Sequence, residues 1–228
     1  MSTTPTVTQA FDAHAEAYDR HLEPILTVKH LLHRLIQCQF SGLPDAARIL
    51  VVGAGTGAEA RFLAPTFPQW QFTLVDPSEA MLCVGRRHAV AEGFADRCAF
   101  HVGRVSSLKG DAFDAATSVL VSHFLSDAAD RNAYFAEIAR RLKPGGLLFN
   151  ADLCADLEGP SFESLMGLWL TLAGVPDDRK ASFRAAFGKQ IAAHGPAEVE
   201  AMTARAGFSA PAQCFQAALI RGWTAIRA

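Results

Sequence analysis

One junction constrains this chain more than any other. Arg48-Ile49-Leu50-Val51-Val52 runs straight into Gly53-Ala54-Gly55-Thr56-Gly57, and Ala58 to Ala64 then reads as helix. A short, continuous apolar run marks a strand buried on both faces, which needs helices above and below a parallel sheet. Glycines at its end let the backbone turn tightly and approach a ligand with no Cβ in the way. The first turn of the following helix presents free N–H groups at the same place.

The scheme recurs downstream. Gln71 to Asp76 reads as a second strand, Pro77-Ser78 as a turn and helix start, and Glu79 to Ala91 as a helix. Cys98 to Val102 and Phe113 to Val121 read as the third and fourth strands. A helix beginning at Asp127 or Ala128 ends at Leu142-Lys143-Pro144-Gly145-Gly146, a turn before a fifth strand, Leu147 to Ala151. Strands alternating with helices at this spacing predict an α/β fold with a doubly wound, mostly parallel sheet. Val7 to Gln39 is helical and broken at Pro24, and Ser161 to Ala206 holds two or three helices. Gln213 to Ala217 and Ile220 to Ile226 lie too close together for a crossover helix, so they should pair antiparallel. The expected organisation is one domain with a helical cap (1–44), a core (45–153), a helical insertion (154–206) and a terminal hairpin (207–228).

Composition removes several classes. The 228 residues carry a net charge of −2 with only 19% charged side chains, which gives no general electrostatic grip on nucleic acid or an anionic membrane. Hydrophobic residues, at 50%, support a large core. Cys38, Cys83, Cys98, Cys154 and Cys214 are odd in number and never form a C-x-x-C pair, so neither a disulfide framework nor a zinc site fits. Met1 to Ala10 lacks the basic-then-apolar order of a signal peptide, and no apolar run is long enough to span a bilayer. The expected compartment is the cytoplasm.

Asp76 stands 23 residues beyond Gly53, at the carboxyl end of the second strand. A carboxylate there can accept hydrogen bonds from both ribose hydroxyls of an adenosine. Asp-Pro-Ser is also good helix-start chemistry, and the two roles are compatible. Gly53, Gly55 and Ala58 satisfy G-x-G-x-x-G/A, so loop and acid together fit NAD as well as another adenosine cofactor.

Three motifs narrow that choice. Val51 to Gly57, Val75-Asp76-Pro77-Ser78-Glu79-Ala80-Met81-Leu82 and Leu142 to Gly146 stand in an order and spacing that resembles the class I S-adenosylmethionine-dependent methyltransferases, over about residues 48–153. The terminal hairpin agrees with that family's antiparallel seventh strand, which implies a Rossmann-like sheet in the order 3-2-1-4-5-7-6. The resemblance implies S-adenosyl-L-methionine as cofactor and S-adenosyl-L-homocysteine as product. It places Gly53, Ala54, Gly55 and Gly57 against the methionine portion, Asp76 on the ribose, and Pro77 with Met81 on the adenine. Arg104, Val105 and Val121 complete the implied cofactor site. The family usually has Gly-Asp after the third strand, whereas this chain reads Gly103-Arg104-Val105, so orientation there rests on backbone groups. Tyr18, one helical turn from His14, resembles the N-terminal lid of small-molecule methyltransferases, where an aromatic ring closes over the cofactor.

Methyl transfer from a sulfonium is an in-line displacement. The protein must align the nucleophile and exclude water, and a base is needed only when the nucleophile arrives protonated. The strand ends supply two catalytic candidates. His123 reads as a base or substrate donor, or as a hydrogen-bonded wall residue, and Asp152 as a second catalytic candidate or as a cap on the following segment. His14, Tyr18, His123 and Trp169 are the substrate candidates. His14 equally reads as solvated surface, and Trp169, on the apolar run Leu165 to Leu170, as core. No Asn/Asp-Pro-Pro-aromatic sequence follows the fourth strand, which favours a small-molecule acceptor over nucleic acid. The insertion at 154–206 suits a lid, or the contact of a homodimer. From Ala206-Gly207-Phe208 onward the chain also looks like the carboxy-S-adenosylmethionine synthases of tRNA modification. Where those enzymes carry a carboxylate-binding arginine this chain has Met202, with Arg205 nearby, which argues for ordinary methyl transfer. An NAD-dependent oxidoreductase and a non-catalytic S-adenosylmethionine-binding module are the remaining readings.

Overall fold

The computed structural model describes residues 6–192 and 194–228. The stretch 1–5, part of the segment read above for a targeting signal, lies outside the described residues. The strands are β1 (Arg48–Val52), β2 (Gln71–Asp76), β3 (Cys98–Val102), β4 (Phe113–Val119), β5 (Leu142–Leu153), β6 (Phe208–Ala217) and β7 (Ile220–Arg227). They form one sheet in the expected order, β3-β2-β1-β4-β5-β7-β6. β1 to β5 pair in parallel, and β7 runs antiparallel to both its neighbours.

The apolar run of β1 follows from burial on two sides. Ile49 and Val51 enter one core cluster and Leu50 and Val52 another, so none of these four positions can be polar. The first cluster receives α3 (Leu26–Phe40) through Leu32, Ile36 and Phe40, four residues apart on one helical face. The second receives Phe135 and Ile138 of α6 (Ala128–Arg141). The other helices are α1 (Val7–His14), α2 (Tyr18–His21), α4 (Ala58–Leu63), α5 (Glu79–Ala91), α7 (Phe162–Leu172), α8 (Asp177–Ala186) and α9 (Pro196–Arg205). Ser78 caps α5 by accepting from the Met81 N–H at 3.1 Å, and Asp127 caps α6 by accepting from Ala129 and Asp130. Pro24 sits in a short 3-10 turn between α2 and α3, where the helical pattern was expected to break.

Several boundaries differ from the sequence reading. β4 ends at Val119, two residues early, because Leu120 takes a left-handed φ of 59°. β5 begins at Leu142, which pairs with Phe113 ahead of a register shift, and Lys143 pairs with Asp114 across to β4 at 2.5 Å. β6 begins at Phe208 although Pro211 lies within it. β6 is an edge strand whose register shifts between Ser209 and Ala212, where proline is tolerated.

The insertion lies against the sheet. Phe162, Met166 and Trp169 of α7 join the core that contains α3, and α9 packs on α6 and β6. Among the described residues, no helix is long and apolar enough to cross a membrane.

Candidate active site

The carboxyl ends of β1, β2 and β4 open into a cavity of about 560 Å³, where an open α/β sheet binds its ligands. The glycine loop forms its floor. Gly53 takes φ 65° while its N–H and that of Ala54 both donate to the Val75 carbonyl, at 2.8 and 3.0 Å. A Cβ on Gly53 would lie 2.4 Å from Cγ2 of Val121, so strand and opposite wall touch through a position only glycine can occupy.

Asp76 stands beside the loop. One carboxylate oxygen accepts the Gly55 N–H at 2.9 Å and the other the Ser78 N–H at 2.8 Å. Each oxygen retains a lone pair for another donor. Burial, reinforced by Asp12, lifts this carboxyl above the ordinary aspartate range, against the downward pull of the two N–H donors.

The N-terminal helices roof the cavity. Phe11 packs edge-on against Tyr18 at 5.8 Å and Phe124 at 5.4 Å, which joins α1, α2 and the end of β4 into an aromatic cluster. Two bonds pin the roof to the floor. The Ser78 hydroxyl donates to Asp12 at 2.5 Å, and the Thr56 hydroxyl donates to Asp19 at 2.7 Å. Burial and the nearby acids Glu59, Asp76 and Asp19 push the Tyr18 phenol up, so it is a neutral donor throughout the physiological range.

Tyr18, Gly53, Gly55, Asp76, Pro77, Met81, Arg104, Val105 and Val121 all line this cavity. Ala54 and Gly57 support the loop without lining it. His14 is an exposed residue of α1, and Trp169 is core, 5% exposed and away from the cavity. Among the described residues, none of 154–206 lines the cavity, and the closing surface comes from α1 instead. Met202 is buried beneath α6, and Arg205 reaches Asn132 at 3.3 Å; neither is on the cavity wall, whose one basic side chain among the described residues is Arg104.

His123 and Asp152 are brought together, but behind the wall. His123 is 4% exposed and Asp152 is fully buried, and neither lines the cavity. The carboxylate of Asp152 accepts from the Ser122 hydroxyl, from Nδ1 of His123, from the His123 N–H at 3.0 Å and from Nη2 of Arg131 at 3.2 Å. Burial would raise this carboxyl, but the charges of His123 and Arg131 and the Ser122 bond outweigh it and hold it below the usual range.

Sequence reasoning missed the α6 face and Phe11 and Phe124. Asp130, Ala133, Tyr134 and Glu137 recur at helical spacing and line the cavity, with the Tyr134 hydroxyl 2.8 Å from that of Ser118. That periodicity is visible in the sequence, but nothing local says that this mostly polar face meets a cavity. Arg131 was also missed, because an arginine on a charged helix reads as solvated surface.

Sheet order, antiparallel last strand, glycine loop and acid together define a Rossmann-like protein with a cavity at its strand ends. Residues 49–146 match a family described as a methyltransferase domain. Over 209 residues the chain is 25% identical to a ubiquinone/menaquinone biosynthesis C-methyltransferase of Pseudomonas putida, covering 89% of this chain and 80% of that protein. It is 38% identical over 104 residues to an uncharacterised protein of Synechococcus, covering 44% of this chain but only 24% of the other. An O-methyltransferase family protein of Burkholderia thailandensis has the same fold, with a TM-score of 0.66 at 17% identity over 97% of this chain and 60% of that one. The matched methyltransferase domain and these relatives together support reading the chain as a class I S-adenosylmethionine-dependent methyltransferase.

Proposed function

We propose that this chain transfers a methyl group from S-adenosyl-L-methionine to a small-molecule acceptor by in-line displacement, leaving S-adenosyl-L-homocysteine. The observation that carries the reading is one cavity bounded by the glycine loop, Asp76 and the Phe11–Tyr18–Phe124 cluster. The residues fit the cofactor. A Cβ at Gly55 would meet Met81 Cε at 3.2 Å, so glycine keeps this part of the cavity open, and Asp76 has acceptor capacity left for two hydroxyls. When bound, the cofactor supplies a methyl group already activated on a sulfonium. Asp76 holds the ribose, Pro77 and Met81 flank the adenine, and the loop accommodates the methionine portion. The aromatic cluster excludes water over the reacting centre.

His123 and Asp152 act from behind, by setting the turn at 120–125 that carries Leu120, Val121, Phe124 and Leu125 into the cavity. The acceptor therefore reacts without a base from this pair. The single catalytic unit comprises the cap 1–44, the core 45–153, the insertion 154–206 and the hairpin 207–228, and a homodimer would use the outer side of the insertion. Calorimetry on cofactor-stripped protein with S-adenosylmethionine, S-adenosylhomocysteine and NAD tests the cofactor. Binding of the first two without NAD is expected, and binding of NAD alone would overturn the reading. Label transfer from methyl-tritiated S-adenosylmethionine to a panel of small phenols, thiols and amines then tests the reaction.

A further inference from the structure

Arg131 lies in the first turn and a half of α6, yet its side chain is fully buried. Its Nε donates to the Ser122 hydroxyl at 2.9 Å and its Nη2 to Asp152 at 3.2 Å. A guanidinium taken out of water is costly unless a carboxylate compensates it, and the reverse holds for Asp152. The two charges make each other tenable. Between them they hold Ser122 and His123, the inward-facing residues of a turn whose other residues line the cavity.

The turn needs holding. Leu120 is a non-glycine residue at φ 59°, a conformation that persists only where the surroundings impose it. Its N–H donates to the Ala151 carbonyl at 2.7 Å, one residue before Asp152 on β5. This bend aims Val121 at Gly53 and Phe124 at Phe11. The His123 carbonyl also accepts the Ala192 N–H at 2.8 Å, so the inward side of the turn is tied to the insertion as well. By contrast, the glycine loop and Asp76 hang on β1 and β2 and share no bond with this cluster.

We propose that Arg131 is a positioning residue for methyl transfer: by neutralising Asp152 it fixes the 120–125 turn, the wall against which acceptor and methyl donor are aligned. This rests on the methyltransferase reading above. Without Arg131 the buried Asp152 carboxylate loses its guanidinium and keeps only Ser122 and His123, and either protonation or displacement of Asp152 then frees both. Wall residues then lose alignment while the glycine loop, Asp76, Pro77 and Met81 keep their places around the cofactor.

The test compares the full chain with Arg131→Met, Arg131→Lys and the double variant Arg131→Met/Asp152→Asn. Readouts are S-adenosylmethionine affinity by calorimetry, turnover with the best acceptor from the panel, and NMR of labelled Leu and Val methyl groups with S-adenosylhomocysteine added. Arg131→Met should lower turnover at saturating cofactor about 100-fold. Its cofactor affinity should change by less than about threefold, the split expected of an interaction that matters only for the reacting geometry. Signals of Leu120, Val121 and Leu125 should shift or broaden, and those of the β1 core should not. Removing the Asp152 charge in the double variant should recover turnover about tenfold over Arg131→Met. Parallel loss of affinity and turnover, or no recovery in the double variant, would overturn the proposal. If Arg131→Met does not fold, Arg131→Lys, which keeps a cation, and the double variant, which removes the Asp152 charge, carry the same comparison. Absence of label transfer by the wild type would sink the methyltransferase reading instead, and the methyl signals would still decide whether Arg131 holds the wall.

Discussion

The closest approach in the site gives the most direct perturbation, Gly53→Ala. The new Cβ would lie 2.4 and 2.8 Å from the two Cγ atoms of Val121, far inside van der Waals contact, at a residue with φ 65°. A left-handed conformation costs an alanine about 1–2 kcal/mol. Forcing a methyl group into filled space costs about 1–3 kcal/mol more. Alanine also restricts the unfolded chain, which returns about 0.4–1 kcal/mol. A net destabilisation of roughly 2–4 kcal/mol is expected, a large part of the ~5–15 kcal/mol typical of a domain. Urea denaturation of four proteins separates the terms: wild type, Gly53→Ala, Val121→Ala and the double variant. Trimming Val121 removes both Cγ atoms and leaves only its Cβ, at 3.1 Å. The steric part should then be relieved and the backbone part remain, a coupling of about 1–2 kcal/mol in favour of the double variant. Additivity within about 0.5 kcal/mol would refute the claim that loop and wall meet at this point.

Asp76→Ala should weaken S-adenosylmethionine binding by about 1–3 kcal/mol if both ribose hydroxyls bond to the carboxylate, and unchanged calorimetric affinity would remove that assignment. The same carboxyl predicts a pH dependence. Its folded value is raised, so the stability of its neutral form is present in acid and lost as pH rises through that value, leaving the cofactor-free protein to carry the cost of ionisation near neutrality. A ligand that needs the carboxylate should release protons on binding and lose affinity on acidification, starting above the ordinary aspartate value of about 3.9. Calorimetry in buffers of different ionisation enthalpy would show this, and no proton release anywhere in that window would contradict it. Burial pushes the thiols of Cys154 to about 12 and Cys98 to about 11, whereas Cys38 and Cys83 are exposed. Mass spectrometry after brief iodoacetamide treatment of native protein should find Cys38 and Cys83 labelled and Cys154 unmodified. Trp70 is fully buried, stacked on Phe67 at 3.6 Å, with its indole N–H on the Pro44 carbonyl, so Trp70→Ala should cost about 3–5 kcal/mol by denaturant unfolding.

Much of this protein is written locally. β1, β2, β3 and α5 have the bounds read from the sequence because apolar runs, the Ser78 cap and the glycine loop each act within a few residues. Asp76 was legible for the same reason: a strand end before Pro-Ser places its carboxylate whatever the rest of the chain does. The antiparallel closing strand followed from two apolar stretches too close together for any other connection.

What tertiary structure decided was which side chains share a space. At the end of β4 the strand period is lost at Leu120, so alternation could not say that Val121 and Phe124 turn outward while Ser122 and His123 turn in toward Asp152. That outcome depends on a carboxylate 29 residues away on β5 and a guanidinium on α6. Pro211 reads as a break until the sheet order makes its strand an edge. The insertion reads as a lid until its apolar faces are seen to find the sheet, which leaves the roof to α1 and the aromatic pairs of Phe11. In each case the local sequence specifies an element and its buried face, whereas the partner that face meets is chosen by packing among segments far apart in the chain.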